Sequence, residues 1–94
     1  MEELLHVTTA EAWAAAQGAG GYKLPKGGFI HLCTAEQLPF VLGRHFAGRT
    51  GLLVLLLDPA GLDVRWEKSE PGMDPFPHLY GALPVRCVRR VEPA

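Results

Sequence analysis

The chain has 94 residues and a formal net charge of −1, with 9 basic against 10 acidic side chains. That length accommodates one hydrophobic core, so residues 1–94 are expected to form a single domain. An apolar share of 48% with 20% charged excludes a disordered chain, and the near-neutral balance lacks the positive field of a general nucleic-acid binder.

The longest apolar run, Leu52 to Leu57, is far short of the roughly 20 residues that cross a bilayer, so no membrane partner is expected. The N-terminus is acidic where a signal peptide would be basic, and a cytoplasmic location is the expectation. Cys33 and Cys87 show no CxxC spacing and are expected as reduced thiols, Cys33 buried and inert. The chain has no Asn and only two Gln, a depletion of thermolabile amides that suits a heat-adapted protein or a GC-rich genome.

Leu4 to Val7 reads as a short strand, followed by a capping box at Thr8-Thr9-Ala10-Glu11 and a helix from Ala10 to Gln17 that stops at Gly18. A brief Tyr22-Lys23-Leu24 segment lies between glycine-rich loops. Gly28 to Thr34 reads as a central strand with Phe29, His31 and Cys33 on one face and Ile30, Leu32 and Thr34 on the other. Thr34-Ala35-Glu36-Gln37 repeats the capping-box pattern before a second amphipathic helix, in which Pro39 fits only if the regular helix begins near Gln37.

Leu52 to Leu57 is a buried strand, closed by an Asp58-Pro59-Ala60-Gly61 turn. Leu62 to Glu67 alternates, with Leu62, Val64 and Trp66 on the core face and Asp63, Arg65 and Glu67 away from it. Ser69 to Pro77 is a loop and Leu83 to Val91 a final strand. Strands interleaved with two short helices define an α+β domain.

Four histidines invite a metal reading, but paired ligands such as CxxC or HxxxH are missing and no metal is expected. His45 reads as a helix-end or packed residue. Cys33 with His31 is a poor nucleophilic pair, because residues i and i+2 of one strand point the same way without facing each other, and His78 could reach Cys33 only by tertiary approach. Glu67 is either a cleft carboxylate or a solvated strand-edge acid. Phe76-Pro77-His78-Leu79-Tyr80-Gly81 packs imidazole and aromatic groups between prolines and a glycine, a composition suited to a ligand pocket.

His6-Val7-Thr8, Gly28-Phe29-Ile30-His31-Leu32-Cys33-Thr34, Glu36-Gln37 and Phe76-Pro77-His78-Leu79-Tyr80-Gly81 together resemble the bacterial family known as domain of unknown function 952, over nearly the whole chain. That family is grouped by fold with ADP-ribosyltransferases and RNA 2′-phosphotransferases. The resemblance implies an ADP-ribosyltransferase-like split antiparallel β-core with two short helices, forming a cleft for NAD as co-substrate. It further implies catalytic roles for Glu67, as the carboxylate near an oxocarbenium-like centre, and for His78, as acid, base or phosphate contact. His6 would hold the ribose, Tyr80 or Tyr22 would stack nicotinamide, and His31 and Thr34 would line the same cleft.

Three functions follow as alternatives. The first is a small ADP-ribosyltransferase-like or NAD-cleaving enzyme, of ADP-ribosyl or phosphotransfer type, whose partner is a small-molecule nucleotide. The second is a non-catalytic module binding a nucleotide or small anion. In the third, Arg86, Arg89 and Arg90 lie on an edge strand that pairs with a partner or is merely blunted by its charges.

Overall fold

Short strands alternate with two helices in the order β1 (Leu4–Thr9), α1 (Ala10–Ala19), β2 (Gly21–Tyr22), β3 (Ile30–His31), α2 (Leu38–His45), β4 (Leu52–Leu57), β5 (Val64–Glu67), β6 (Phe76–Leu79), β7 (Leu83–Pro84), a 3₁₀ turn (Val85–Cys87) and β8 (Val88–Pro93). The computed structural model describes residues 3–24, 26, 28–68 and 70–94. Met1 and Glu2 of the expected acidic start, and Pro25, Gly27 and Ser69 of the expected loops, lie outside the described residues. The described strands form antiparallel sheets ordered β1-β4-β8, β2-β7 and β3-β6-β5, an α+β arrangement as expected.

β4 is apolar on both faces because both faces are covered. It pairs with β1 on one side, from Leu52 opposite Thr9 to Leu57 opposite Leu4, and with β8 on the other. Leu55 and Leu57 are fully buried and meet Leu4, Ile30, Leu32, Leu79 and Leu83 in the main core. Leu5, Cys33, Val54 and Leu56 form a second cluster on the opposite face. β8, at the edge of this sheet, carries Arg89 and Arg90, paired to Asp58 at 2.9 Å and Glu3 at 3.6 Å. Exposed cations on a sheet edge discourage pairing with another chain.

Local chemistry explains where the elements differ from expectation. Thr9 caps α1, its Oγ1 accepting from the Ala12 N–H at 3.0 Å, but the helix runs past Gly18 and ends at Gly20 in the left-handed conformation (φ 86°). The second capping box forms: the Gln37 N–H donates to Thr34 Oγ1 (3.2 Å) and the Thr34 N–H to Gln37 Oε1 (3.1 Å). It closes a turn ahead of α2, so Pro39 falls in the first helical turn, where its missing N–H leaves no acceptor unpaired.

The expected strand from Gly28 to Thr34 is paired as a regular strand only over Ile30–His31. The Leu32 N–H donates to the Pro77 carbonyl at 3.1 Å, and Pro77 has no N–H to return. The ladder with β6 stops there, and the chain crosses to β1, where Cys33 and Leu5 exchange bonds of 2.9 and 2.7 Å. Phe76 to Leu79, expected as part of a ligand loop, is instead the central strand of its sheet. The final strand is interrupted at Val85–Cys87 by the 3₁₀ turn, whose Cys87 carbonyl accepts from the Asp58 N–H at 2.9 Å. Val64 packs on the main core as expected, whereas Trp66 is 50% exposed, running past the core on the edge strand β5. Among the described residues, no helix is long and apolar enough to cross a membrane.

Leu57→Ala is expected to cost about 2 to 5 kcal/mol, read as a lower urea midpoint, because the fully buried site has little room to collapse. Two glycines give a paired test of backbone proximity. A Cβ on Gly21 would lie 2.3 Å from the Leu83 carbonyl oxygen and 2.9 Å from Pro84 Cα, whereas one on Gly18 meets nothing within 4 Å. Gly21→Ala should therefore lower the thermal midpoint, and Gly18→Ala, within α1, should raise stability by about 0.5 to 1 kcal/mol.

Candidate functional site

Residues directly opposite on antiparallel strands stand side by side on one face. His31 on β3 is opposite His78 on β6, and Arg65 on β5 is opposite His78 on its other side. Counting by twos places Phe29, Tyr80 and Glu67 on the same face, away from the core. The rings meet accordingly: Phe29 stacks on His78 with centroids 3.8 Å apart, His31 meets His78 edge-on at 5.6 Å, and Phe29 contacts Tyr80 at 5.4 Å.

Glu67 and His78 are joined on this face. The His78 Nδ1–H donates to Glu67 Oε1 at 2.8 Å, and the Tyr80 hydroxyl donates to the same oxygen at 2.5 Å. A carboxylate accepts only, so His78 carries its proton on Nδ1 and keeps Nε2 as a free acceptor. The Tyr80 and His78 hydrogen bonds hold the Glu67 carboxyl below its ordinary value, and the same carboxylate pushes the Tyr80 phenol up. The Arg65 guanidinium lies 4.4 Å from the centre of the Tyr80 ring and pairs with Asp63 at 3.1 Å, closing the outer side of the cluster.

His6, the third residue of β1, is anchored in the same manner. Its Nδ1–H donates to the His31 carbonyl at 2.8 Å, which leaves Nε2 unprotonated. The Tyr22 ring meets it edge-on at 5.3 Å, and the Tyr22 hydroxyl shares a 3.0 Å hydrogen bond with Thr8 Oγ1. Burial, with a smaller contribution from the nearby His31, holds the His6 imidazole below its ordinary value. His31 is lowered by partial burial and by the neighbouring imidazoles of His78 and His45.

His6, His31 and His78 line one wall of a cavity of about 390 Å³. The opposite wall comes from α2, through Phe40, Val41, Arg44 and His45, and from the segment before β6, through Glu70, Met73 and Phe76. α2 fully buries none of its residues: Leu38 and Val41 pack on the second core cluster, while Phe40, Val41, Arg44 and His45 line this cavity. Arg44 and Glu70 approach across it to 3.7 Å. Cys33 lines the floor as a buried thiol, pushed up by desolvation to about 11 and so protonated and unreactive, as expected.

The structure thus brings His6, His31 and His78 together at the cavity. Glu67 and Tyr80 stand behind His78 and outside the lining, and Thr34 is occupied in capping the turn before α2. Neither Tyr80 nor Tyr22 lines the cavity; its aromatic surface is that of Phe40, Phe46 and Phe76. Phe76 belongs to the segment read from the sequence as a ligand pocket, whereas Phe40, Phe46, Arg44 and His45 are not site residues in that reading. Phe40 and Arg44, like Val41 and His45, are spaced i, i+4 on one helix face, but periodicity alone does not distinguish a face over a cavity from one over a core.

The lowered groups set the pH response of folding. His6 and His31 bind their protons more weakly folded than unfolded, so their contribution is complete above the unfolded value of about 6.5 and is lost as pH falls from there through the folded values. Glu67 and Asp58 are also lowered, and their contribution is lost at more acid pH, through the carboxylate range. Urea midpoints measured from pH 8 to pH 3 should fall in two stages, and His6→Gln should flatten the upper one.

No curated protein matches the chain. Among solved structures, the crystal structure of protein CC0527 from Caulobacter crescentus is 30% identical with a TM-score of 0.82, covering 95% of this chain and 82% of that one, and the crystal structure of its double mutant gives the same values. The solution NMR structure of CC0527 is 33% identical with a TM-score of 0.81, over 97% and 83% of the two chains. The family described as "Protein of unknown function (DUF952)" matches residues 7–91, nearly the whole length, and the chain belongs to that family.

Proposed function

We propose that the chain is a small enzyme acting on NAD or an ADP-ribose-like nucleotide bound in the histidine-lined cavity. The observation that carries this reading is the Glu67–His78 pair: a carboxylate holds one imidazole nitrogen at 2.8 Å while the ring lines the cavity wall. This is the arrangement a general base needs, with tautomer and ring orientation set from behind and Nε2 turned to the reactant. Phe29, stacked on His78, restrains the ring from one side.

In this reading His78 Nε2 takes the proton of an attacking water or hydroxyl as the new bond to the ribose carbon forms. The nicotinamide bond breaks, and the departing ring keeps the electron pair and leaves neutral. Glu67 stabilises the imidazolium so formed, and Tyr80 fixes the carboxylate. His6, His31 and Thr34 keep their proposed place in ligand binding, Thr34 by setting the start of α2, and Phe40 and Phe76 offer flat surfaces to a base. The crossing of residues 32–33 from β6 to β1, which joins two small antiparallel sheets, supports kinship with the split β-core of the ADP-ribosyltransferases.

A second reading, a non-catalytic nucleotide-binding module, is favoured by one observation: Glu67 does not line the cavity and would not face an oxocarbenium centre directly.

Amide NMR titration with NAD, ADP-ribose, nicotinamide and a 2′-phosphorylated nucleotide, followed by turnover assays, separates the two. In the enzyme, shifts cluster at His6, His31 and His78, and Glu67→Gln lowers turnover by roughly 10²- to 10³-fold while Kd changes by less than about threefold. Binding without turnover establishes the module instead, and absence of binding at millimolar concentration refutes both.

A further inference from the structure

The chain contains four histidines, and all four line this one cavity: His6 from β1, His31 from β3, His78 from β6 and His45 from α2. Arg44 adds a guanidinium to the same lining. The acidic groups near them are Glu70, 3.7 Å from Arg44, and Glu67, behind His78. Arg44 and Glu70 offset one another, and the Cys33 thiol is protonated, so the charge of the cavity is set by its imidazoles.

Two of those imidazoles have a nitrogen already committed within the protein: His6 Nδ1 to the His31 carbonyl and His78 Nδ1 to Glu67. Among the described residues, each leaves Nε2 without a protein partner. Among the described residues no fully buried side-chain nitrogen or oxygen lacks a partner, so these atoms remain open to the cavity. The His31 and His78 rings lie only 5.6 Å apart, and two imidazolium groups at that distance repel unless an anion stands between them. The facing wall of Phe40, Phe46, Met73 and Phe76 is apolar and suits the organic body of a ligand.

We infer that the histidine end of the cavity is a subsite for a tetrahedral oxyanion, a phosphate or the phosphate group of an ester, whose binding draws protons onto the surrounding imidazoles. The inference rests on reading the cavity as a ligand site, but on no turnover. Protonation supplies both the positive charge and the N–H donors that such an anion requires, while the neutral rings offer the cavity little net charge. Affinity for the anion therefore rises as pH falls.

Inorganic sulfate is a clean probe, because it remains a dianion throughout the useful pH range and any change in affinity belongs to the protein. Calorimetric and NMR titrations of the full chain should show sulfate binding up to about thirtyfold tighter at pH 6 than at pH 7.5, since uptake of one proton changes affinity tenfold per pH unit. Shifts should centre on residues 6, 31 and 78 and not on Arg86, Arg89 and Arg90. The His31 ring should titrate at higher pH with sulfate present. His31→Gln, at an exposed position outside the core, should fold normally and lose most of the pH dependence.

Adenosine monophosphate binding more tightly than inorganic phosphate would assign the subsite to an ester, and the reverse order to free phosphate. Sulfate affinity that is flat with pH, or shifts confined to the C-terminal arginines, would overturn the inference. Turnover of NAD unaffected by sulfate would leave the enzyme reading standing without the subsite. Sulfate binding of the expected kind without NAD turnover would leave the subsite standing alone.

Discussion

The absent N–H of Pro77 governs how this small chain is assembled. Pro77 sits in the central strand of its sheet, a position that proline normally avoids because one rung of the ladder loses its donor. Here the lost rung faces β3 at residue 32, where β3 leaves the sheet. The strand pairs with β6 for two residues, donates one last bond from the Leu32 N–H to the Pro77 carbonyl and crosses to the free edge of β1. That crossing joins two sheets which also share their apolar faces. It also sets His31 between His78 on one strand and His6 on another, with the His31 carbonyl turned toward the His6 ring.

Once the three imidazoles are gathered there, their chemistry is set by what stands behind them. Glu67 holds one nitrogen of His78, and a backbone carbonyl holds one nitrogen of His6. Each hydrogen bond selects a tautomer and leaves the other nitrogen available. Hydrogen bonds lower Glu67 and burial lowers His6 and His31, so near neutral pH neutral His6 and His31 rings line the wall while a charged carboxylate stands behind His78. α2 rests on the second core cluster through Leu38 and Val41 without any fully buried residue, and its Phe40, Arg44 and His45 border the cavity.

The sequence reading reached most of the framework. The Leu52–Leu57 strand, the start of α1 at Ala10, the Thr34–Gln37 box and the Asp58 turn, whose carboxylate accepts the Ala60 N–H at 3.0 Å, all depend on residues a few positions apart, and each is present, with Thr9 and not the expected Thr8–Glu11 box supplying the cap of α1. The expected sharing of one face by Phe29 and His31 holds, because a period of two survives even in a two-residue strand. The strand from Gly28 to Thr34 was too long, and the loop from Phe76 was a strand. Both errors have one cause: which strand a segment pairs with depends on residues some 45 positions away.

At the site the division is the same. The sequence, with the family resemblance it carries, singles out His6, His31, His78, Glu67 and Tyr80 as candidate site residues and Cys33 as a buried thiol. Only the tertiary structure decides that Glu67 stands behind His78, that Tyr80 serves Glu67 and leaves the lining to phenylalanines, and that His45 and Arg44 join the cavity from α2. Local hydrogen bonds and side-chain alternation act over a few residues and are written along the chain. The register of one strand against another, and the seating of a helix over a gap, depend on the mutual fit of distant surfaces, which short-range spacing does not encode.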